Sequence, residues 1–351
     1  EQLQDAGHDI YWFNVTDSGE YTKRMDWINQ CYGWRLKWDF PGRIRLKSLF
    51  PKLSKFIEKF NTNATEEAFE NYLNQVKPDV VHSFALHISC TPILPVMLKY
   101  KNIKWIYSSW GSDLYARKKE FNTSHLTPVL ERVDYLFTDC YRDFKIAEEY
   151  GFKGKHLGVY PGGGGFHKVK IDINNKENIV LVKGYENKHG RSILILEELI
   201  KDSHLSKYQV IVFGANQNVI DFIDIKKDIF PNIKVYKTIP YEELQKLFRK
   251  SKYYIGYSLS DGTPNTMLEA LIAGCIVIQS NPGGASEEWI QDEVNGYLLN
   301  ENENLGEKLK HAISNGLPES TLHKNIRLFG KRLNRSNIAK EVKQKYDNIL
   351  S

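Results

Sequence analysis

Short apolar runs alternate along the chain with longer stretches in which apolar residues recur every three or four positions. The short runs predict buried strands, and the periodic stretches predict amphipathic helices. In the first half of the chain, strands are predicted over 9–15, 79–82, 103–108 and 134–138, with a helix over 65–75. Strands and helices that alternate in this way are typical of parallel βαβ units.

The alternation pauses at PGGGGFHKVKIDINNK, a Gly-rich and then polar stretch that predicts a hinge and linker. It then resumes in the second half of the chain. Strands are predicted there over 179–183, 210–213, 233–236, 253–257 and 276–279, and helices over 191–201, 241–249 and 265–273. The pattern therefore predicts the α/β class, with two Rossmann-like, doubly wound parallel-sheet domains that face each other across a cleft.

We place the first domain at 1–160, the linker at 161–178 and the second domain at 179–336. The final helix, 337–351, has no strand after it, and we expect it to pack back on the first domain. Residues before Gly7 resemble the end of a helix. Because a doubly wound domain opens with a strand ahead of such a helix, we expect that first strand to be missing from the chain as given.

Composition narrows the class of protein. Of 351 residues, 41% are hydrophobic and 26% are charged, which is ordinary for a folded globular protein. No apolar run is long enough to span a bilayer, so no integral membrane protein is expected. The four cysteines lack metal-ligand or paired spacing and predict reduced thiols in a cytoplasmic protein. The net charge of +5 is too small to indicate nucleic-acid binding.

Residues 33–60 concentrate positive charge, with eight basic residues against Asp39 and Glu58. Aromatic and aliphatic residues are interleaved with these charges, as in surfaces that bind anionic lipid headgroups. The residues Leu49, Leu53, Phe56 and Phe60 also have the spacing of an ordinary core-facing helix stripe. The sequence leaves both interpretations open.

The segment SLSDGTPNTMLEALIAGCIVIQSNPGG, 258–284, carries the most chemical information. It follows a predicted strand and opens a helix, with Thr263 expected as the N-cap, Pro264 as the first helical residue and Gly274 at the end. Helical spacing directs Glu269 toward the cleft, and Asp261 lies in the loop before the helix.

A nucleotide-diphosphate-sugar fits this spacing. We expect Asp261 to meet the sugar hydroxyls and Glu269 to accept from both ribose hydroxyls. The helix start between them is expected to hold the phosphates, because its free N–H groups and dipole favour anions. The predicted phosphate-binding residues are Gly262, Thr263, Pro264, Asn265 and Thr266. The competing interpretation makes Asp261 a turn residue and Glu269 a solvated helix residue.

Residues 258–299 resemble the donor-site signature of family 4 glycosyltransferases, in which two Glu residues have seven residues between them. Here Asp261 and Glu269 are followed by ALIAGCIVI, NPGG and NGYLL, with Asp261 where the family has Glu. Further similarities are AGHDIYWF near the start, KPDVVH at 77–82 and SSWGSDL at 108–114. Phe84 and Trp110 stand where the family has histidines.

The resemblance implies the GT-B fold, retention of anomeric configuration, and no metal or other cofactor. It makes Asp261, Asp113 and His87 the catalytic candidates, with His82 and Trp110 on the acceptor side. The family neutralises the diphosphate with basic residues after the first strand of the second domain. The candidates here are Lys183, Lys188 and Arg191, with Lys183 ranked behind the other two because it can simply end the strand.

The sequence thus predicts a glycosyltransferase of the hexosyl- or N-acetylhexosaminyl-transferase class, acting in bacterial-type polysaccharide biosynthesis. Its donor would be a nucleotide-sugar, and its acceptor a hydroxyl of a glycan or lipid-linked glycan. We expect a cytoplasmic protein, peripheral at the inner face of the plasma membrane through 33–60. The alternatives are a nucleotide-sugar epimerase or hydrolase on the same fold, and a catalytically silent glycan-binding paralogue.

Overall fold

Two parallel β-sheets, each covered by helices, form two α/β domains in the computed structural model. The structure describes residues 2–18, 20–118, 126–168, 170–201 and 207–351. The predicted fold class is confirmed, because every strand pair in both larger sheets is parallel.

The first domain contains a four-stranded sheet in the order β3-β4-β5-β6 and a separate parallel pair, β1-β2. The strands are β1 Tyr11–Phe13, β2 Asn29–Cys31, β3 Val80–Phe84, β4 Lys104–Ser108, β5 Tyr135–Thr138 and β6 Lys155–Val159. The helices are α1 Arg43–Leu49, α2 Pro51–Asn61, α3 Thr65–Val76, α4 Leu94–Lys99, α5 Ser112–Lys118, α6 Thr127–Arg132 and α7 Tyr141–Glu149. A π-helical turn, Leu86–Cys90, follows β3.

The second domain is built on a six-stranded sheet in the order β12-β11-β10-β7-β8-β9. Its strands are β7 Glu177–Lys183, β8 Gln209–Phe213, β9 Ile233–Tyr236, β10 Ser251–Gly256, β11 Ile276–Ser280 and β12 Tyr297–Leu299. Its helices are α8 Ser192–Lys201, α9 Gln217–Lys226, α10 Tyr241–Lys250, α11 Asn265–Ile272, α12 Leu305–Asn315 and α13 Glu319–Arg332. The chain order reverses between β7 and β10, and ligands of doubly wound sheets bind at such a point.

Both faces of the six-stranded sheet are buried at its central strands, whereas the edge strand β9 is partly exposed. Along β7, Val180 and Val182 pack into one hydrophobic cluster, whereas Ile179 and Leu181 pack into the other. Successive strand side chains point to opposite faces, so a strand covered on both sides must be apolar at every position. This explains why the predicted central strands of this half are nearly continuous apolar runs, whereas 233–236, at the edge, contains Lys234.

The last helix, α14 Arg335–Leu350, returns to the first domain. Its Tyr346 and Ile349 pack with Ile106 and Phe137 of the four-stranded sheet. The chain therefore crosses between the domains twice, once through the segment after β6 and once at the start of α14.

The basic segment 33–60 forms α1 and α2, and its apolar stripe faces outward. Leu49, Leu53, Phe56 and Phe60 are between 49% and 70% exposed, so the interpretation as a core-facing stripe is wrong. The face of α2 that turns toward the protein is polar, with Ser54 and Asn61 buried. In the part of the chain that the structure describes, no helix has the length and apolar character that crossing a bilayer requires.

Candidate functional site

The candidate site lies where β7 and β10 end side by side, at the switch point of the six-stranded sheet. Lys183 is the last residue of β7, and Asp261 belongs to the loop that follows β10. The Lys183 Nζ and Asp261 Oδ2 atoms are 4.0 Å apart. Parallel pairing of the two strands thus brings together a cation and a carboxylate that are far apart in sequence.

Asp261 is only partly buried, with 31% of its side chain exposed. Its Oδ1 accepts a hydrogen bond of 3.1 Å from the N–H of Gly262. The carboxylate is therefore held by its own turn and remains partly accessible to solvent, and its contact with sugar hydroxyls stays a prediction.

Glu269 is buried within α11, with 5% of its surface exposed. Its Oε1 accepts from Gln245 Nε2 at 2.8 Å, and the Tyr241 hydroxyl donates to the same carboxylate. Burial raises the pKa of Glu269 to about 7, although these donors and the charge of Lys183 oppose the rise. The interpretation of Glu269 as a solvated helix residue is wrong, because its carboxylate is held by α10.

The three predicted cations occupy different surroundings. Lys183 lies close enough to influence both Asp261 and Glu269 electrostatically. Lys188 is exposed in the loop after β7. Arg191 is tied to that same loop, where Nη1 donates to the carbonyl of Asn187 at 2.7 Å and pairs with Glu186 at 3.4 Å. The geometry places Lys183 ahead of the other two, in contrast to the order expected from sequence.

The start of α11 differs from the prediction by one residue. Pro264, with φ −65° and ψ 120°, is the N-cap, and Asn265 is the first helical residue. Thr263 is buried, and its hydroxyl donates to the backbone carbonyl of Asp139 at 2.5 Å and accepts from Trp289 Nε1 at 3.2 Å. Its hydroxyl is thus used in long-range packing, so Thr263 does not cap the helix.

The predicted phosphate-binding residues are only partly available. The N–H of Gly262 donates to Asp261, and the N–H of Thr263 lies 3.4 Å from Asp139 Oδ2. The Thr266 hydroxyl is turned inward, 2.8 Å from the hydroxyl of Tyr254. Asn265 is exposed, and its Oδ1 accepts from the N–H of Gly163 at 3.3 Å. The N–H groups of Gly262 and Thr263, expected to be free for phosphate, are therefore both bonded to carboxylates in this structure.

Asp139, which sequence reasoning missed, comes from the first domain and reaches this turn. A Cβ atom on Gly262 would lie 2.2 Å from Asp139 Oδ2, so only glycine allows the approach. The Asp139 Oδ1 atom is buried without a hydrogen-bond partner among the described residues. Burial, followed by the charges of Asp143, Asp113 and Asp261, raises the pKa of Asp139 well above its ordinary value.

Further contacts close the two domains around the same point. Arg142 Nη1 donates to the carbonyl of Pro282 at 2.5 Å, and its guanidinium lies 3.9 Å from the ring centroid of Tyr115. Gly283 packs directly under that ring. The ligand-type atoms of Asp139, Cys140 and Asp143 lie within 4.8 Å of one another, a spacing that suits a metal ion. Arg142 pairs with Asp143 at 2.7 Å and already supplies a positive charge there.

Asp113, a predicted catalytic residue, has the geometry of a positioning residue. Its Oδ2 accepts from the Leu86 N–H at 2.8 Å and from the Tyr107 hydroxyl at 2.5 Å, and its Oδ1 accepts from the Trp110 N–H at 2.8 Å. The carboxylate is 3% exposed. It fixes the loops after β3 and β4.

His82 is also fixed inside the first domain. Its Nε2 is 2.7 Å from Ser108 Oγ, and its Nδ1 bonds the Tyr346 hydroxyl. Desolvation lowers its pKa to about 3, so the ring is neutral at physiological pH. Both ring nitrogens are thus bonded within the protein, one to Ser108 of β4 and the other to Tyr346 of α14, and the acceptor-side role of His82 stays a prediction.

His87 and Trp110 lie at the carboxyl edge of the first-domain sheet. His87 is exposed on the π-helical turn, and Trp110 is 54% exposed in the loop after β4. Both side chains remain compatible with the roles expected from sequence.

The two facing α/β domains with a site at the switch point of the second sheet define the GT-B fold of glycosyltransferases. Residues 165–329 match the family model described as glycosyl transferases group 1, slightly less than half of the chain. That stretch contains Lys183, Asp261 and Glu269. No curated protein sequence matches the chain.

Solved glycosyltransferase structures resemble most of the chain, with elements of both domains included. The pneumococcal O-GlcNAc transferase GtfA, in complex with UDP and GlcNAc, has 13% identity and a TM-score of 0.66, covering 81% of this chain and 60% of its own. Sucrose-phosphate synthase from Thermosynechococcus elongatus has 16% identity and a TM-score of 0.67, and the match covers 99% of this chain and 91% of the synthase. HepE from Anabaena, in complex with UDP-glucose, has 12% identity and a TM-score of 0.60, and the match covers 81% of this chain and 82% of HepE.

At these identities the likeness establishes the fold alone. The chain spans about three fifths of the pneumococcal enzyme.

Proposed function

We propose that the chain is a retaining glycosyltransferase that moves a hexosyl or N-acetylhexosaminyl group from a nucleotide-diphosphate-sugar to a hydroxyl of a glycan or lipid-linked glycan. The observation that carries the proposal is the pair of Lys183 and Asp261, 4.0 Å apart beside the start of α11. A fixed cation and an accessible carboxylate at a switch point suit a ligand with an anionic centre and a hydroxyl-rich end.

In this proposal the sugar lies against Asp261 and the diphosphate lies between Lys183 and the first turn of α11. Negative charge grows on the leaving diphosphate during transfer, and a fixed cation in a water-poor cleft stabilises it without reorganisation. The departing phosphate oxygen takes the proton of the acceptor hydroxyl, so the protein chiefly orients the reactants. The scheme, like the resemblance to family 4, involves no metal or other cofactor.

UDP-sugars are the donors that we propose to test first. The pneumococcal and Anabaena structures contain UDP with GlcNAc and UDP-glucose, respectively. Glu269 would accept from the ribose hydroxyls. Because it is buried against Gln245 and Tyr241, the donor must displace at least one of these partners to reach it.

Substitution of Asp261 tests the site. We expect Asp261→Asn to lower kcat/KM for sugar transfer from UDP-sugars by about 100-fold or more, because the charge that orients the sugar is lost. The measurement is formation of elongated glycan together with release of UDP. Asp224→Asn, which removes an exposed carboxylate from α9, is the matched control and should leave the rate unchanged.

The outcomes of this assay separate the proposal from its rivals. Sugar nucleotide consumed equally with and without acceptor would indicate a hydrolase or epimerase. UDP-sugar binding without turnover on any acceptor would indicate a silent binding protein. Full activity of Asp261→Asn would overturn the assignment of the site.

We further propose that the chain acts at an anionic membrane surface through α1 and α2. Helix α2 has an inverted pattern: Ser54 and Asn61 face the protein, and Asn61 bonds the backbone of Trp38. Its apolar side chains face outward beside exposed lysines. Those lysines are Lys47, Lys52, Lys55 and Lys59. An apolar stripe flanked by cations complements lipid headgroups, which attract each nearby basic residue by about 1 kcal/mol.

Vesicle sedimentation tests the membrane proposal. The unmodified chain should sediment with vesicles containing phosphatidylglycerol more than with phosphatidylcholine alone, and less as salt rises. The double substitution Lys52→Glu and Lys55→Glu should weaken binding, and Phe56→Glu should do so by blocking insertion. Lys226→Glu with Lys227→Glu makes the same charge change near the end of α9 and should have little effect. Equal sedimentation with both lipids at every salt concentration would contradict the proposal.

A further inference from the structure

Two exposed aromatic rings stand together at the carboxyl edge of the first-domain sheet. Phe84, the last residue of β3, is 47% exposed, and Trp110, just after β4, is 54% exposed. Their ring centroids are 6.2 Å apart, and His82 stacks behind Phe84 at 4.2 Å. We call Phe84 and Trp110 the aromatic platform.

The aromatic platform borders the candidate donor site directly. Gly111, the residue after Trp110, has φ +76° and touches the turn that carries Asp261. A Cβ atom on Gly111 would lie 2.2 Å from the Gly262 nitrogen and 3.0 Å from the carbonyl carbon of Asp261. Trp110 of the aromatic platform therefore directly precedes the residue, Gly111, whose backbone contacts the turn that carries Asp261.

The backbone beneath the aromatic platform is held rigidly. The carboxylate of Asp113 accepts from the N–H of Trp110 and from that of Leu86, each at 2.8 Å, and so joins the loops that carry the two rings. Between Phe84 and Leu86, Ala85 has φ +63°, a conformation that costs energy in a residue with a side chain. Exposed rings on a fixed backbone bind without losing much conformational freedom.

The chemistry of this surface suits a sugar ring. A pyranose has an apolar face of C–H groups that can cover aromatic carbon while its hydroxyl groups at the edge stay hydrated or hydrogen-bonded. A phosphate or an acidic peptide would gain little from two uncharged rings, whose faces carry negative charge density. The exposed side chain of His87 lies on the turn after Phe84 and offers a polar group at the edge.

We propose that the aromatic platform is the acceptor subsite and that it binds the terminal sugar ring of a glycan acceptor by stacking. This inference rests on the proposed glycosyltransferase function and specifies its acceptor class: a hydroxyl on a sugar, held by Phe84 and Trp110. Asp113 is a positioning residue for both rings.

Binding can be measured before any acceptor is identified. Saturation-transfer NMR with methyl glycosides of glucose, galactose and N-acetylglucosamine should show transfer from the unmodified chain to ring C–H protons of at least one sugar. Phe84→Ala and Trp110→Ala should abolish that transfer, and Phe84→Tyr should preserve it. Tyr21→Ala, which removes a ring with 46% exposure elsewhere in the first domain, is the control.

Kinetics with the best glycoside provide the second readout. Phe84→Ala or Trp110→Ala should raise the acceptor KM by about tenfold or more, as expected for loss of one stacked ring, while the donor KM changes less than about twofold. No saturation transfer to any glycoside, or transfer that persists in both alanine variants, overturns the inference. If none of UDP, GDP, ADP and dTDP raises the melting temperature of the unmodified chain, the proposed function itself fails, and the two failures are thereby distinguished.

Discussion

The carboxyl group of Glu269 is subject to two opposing effects. Burial in α11 favours its neutral form, whereas Tyr241, Gln245 and Lys183 favour the charged form. Burial is the larger effect, so the pKa of Glu269 is raised from 4.5 to about 7. A residue expected to bind hydroxyl groups is thus only partly ionised at neutral pH in the unliganded protein. Donor binding would favour its ionised form through new hydrogen bonds.

This raised pKa predicts a dependence of stability on pH. Below pH 4.5 Glu269 is protonated in both the folded and unfolded states, so its contribution to the free energy of unfolding is fully present. As pH rises toward 7 the unfolded state ionises first, and folding loses up to about 3 kcal/mol. Glu269→Gln removes this loss, so its free energy of unfolding relative to the unmodified chain should increase between pH about 4.5 and about 8.

Urea unfolding at several pH values measures the difference. Glu242→Gln changes an exposed residue of α10 and is the control. Its free energy of unfolding relative to the unmodified chain should not change with pH over the same range. If the free energy of unfolding of Glu269→Gln differed from that of the unmodified chain by the same amount at every pH in this range, Glu269 would be ionised in the folded protein over the whole range.

Helices α2 and α3 follow one another in sequence and use the same residue types in opposite ways. Phe69 of α3 is 7% exposed and belongs to the core of the first domain. Phe56 of α2 is 58% exposed and contacts Phe60 on the outer surface. Exposed aromatic residues contribute little to folding, so their retention on one face is better explained by binding.

Alanine substitution distinguishes the role of the aromatic residue in α3 from that of the aromatic residue in α2. Phe69→Ala should lower the free energy of unfolding by about 3–5 kcal/mol, because it leaves a cavity in a packed core. Phe56→Ala should change it by less than about 0.5 kcal/mol, as for surface positions generally. Urea midpoints of the two variants provide the measurement. A large loss for Phe56→Ala would mean that α2 packs against the protein through its aromatic side.

The contrast also shows how far the sequence could predict this protein. Periodicity predicts nine of the twelve strands in the described residues and the parallel sheets, because these depend on local spacing, but it misses the strands β2, β6 and β12. It left the orientation of α2 open, since spacing does not reveal which neighbour covers a stripe. Asp139 was missed because its partner, Gly262, lies in the other domain and no motif links them. Lys183 was ranked low because its importance arises from the pairing of β7 with β10.

At the scale of the whole molecule, the turn at 261–263 is where the domains meet. Asp139 reaches the turn from β5, Gly111 from β4, and Arg142 holds the neighbouring Pro282. Because Asp139 occupies the amide of Thr263, it competes for the same N–H group that a donor phosphate would use. Closing the domains therefore buries a carboxyl group at the anion site.

Burial of this carboxyl group predicts that domain closure depends on pH. In the closed arrangement Asp139 is desolvated and faces Asp113, Asp143 and Asp261, and these effects outweigh the opposing charge of Arg142, so its pKa is raised. In an open arrangement water would surround Asp139 and its pKa would return toward the ordinary value. Closure then takes up a proton, is favoured at low pH, and is lost as pH rises through the raised value.

Small-angle scattering at pH about 5.5 and about 8.5 measures this change, because opening increases the radius of gyration. The unmodified chain should expand at the higher pH. Asp139→Asn, which keeps the shape without the charge, should stay compact at both values. Gly262→Ala should be expanded at both, since its Cβ atom would lie 2.2 Å from the Asp139 carboxylate. Expansion of Asp139→Asn with pH, equal to that of the unmodified chain, would assign the dependence to a group other than Asp139.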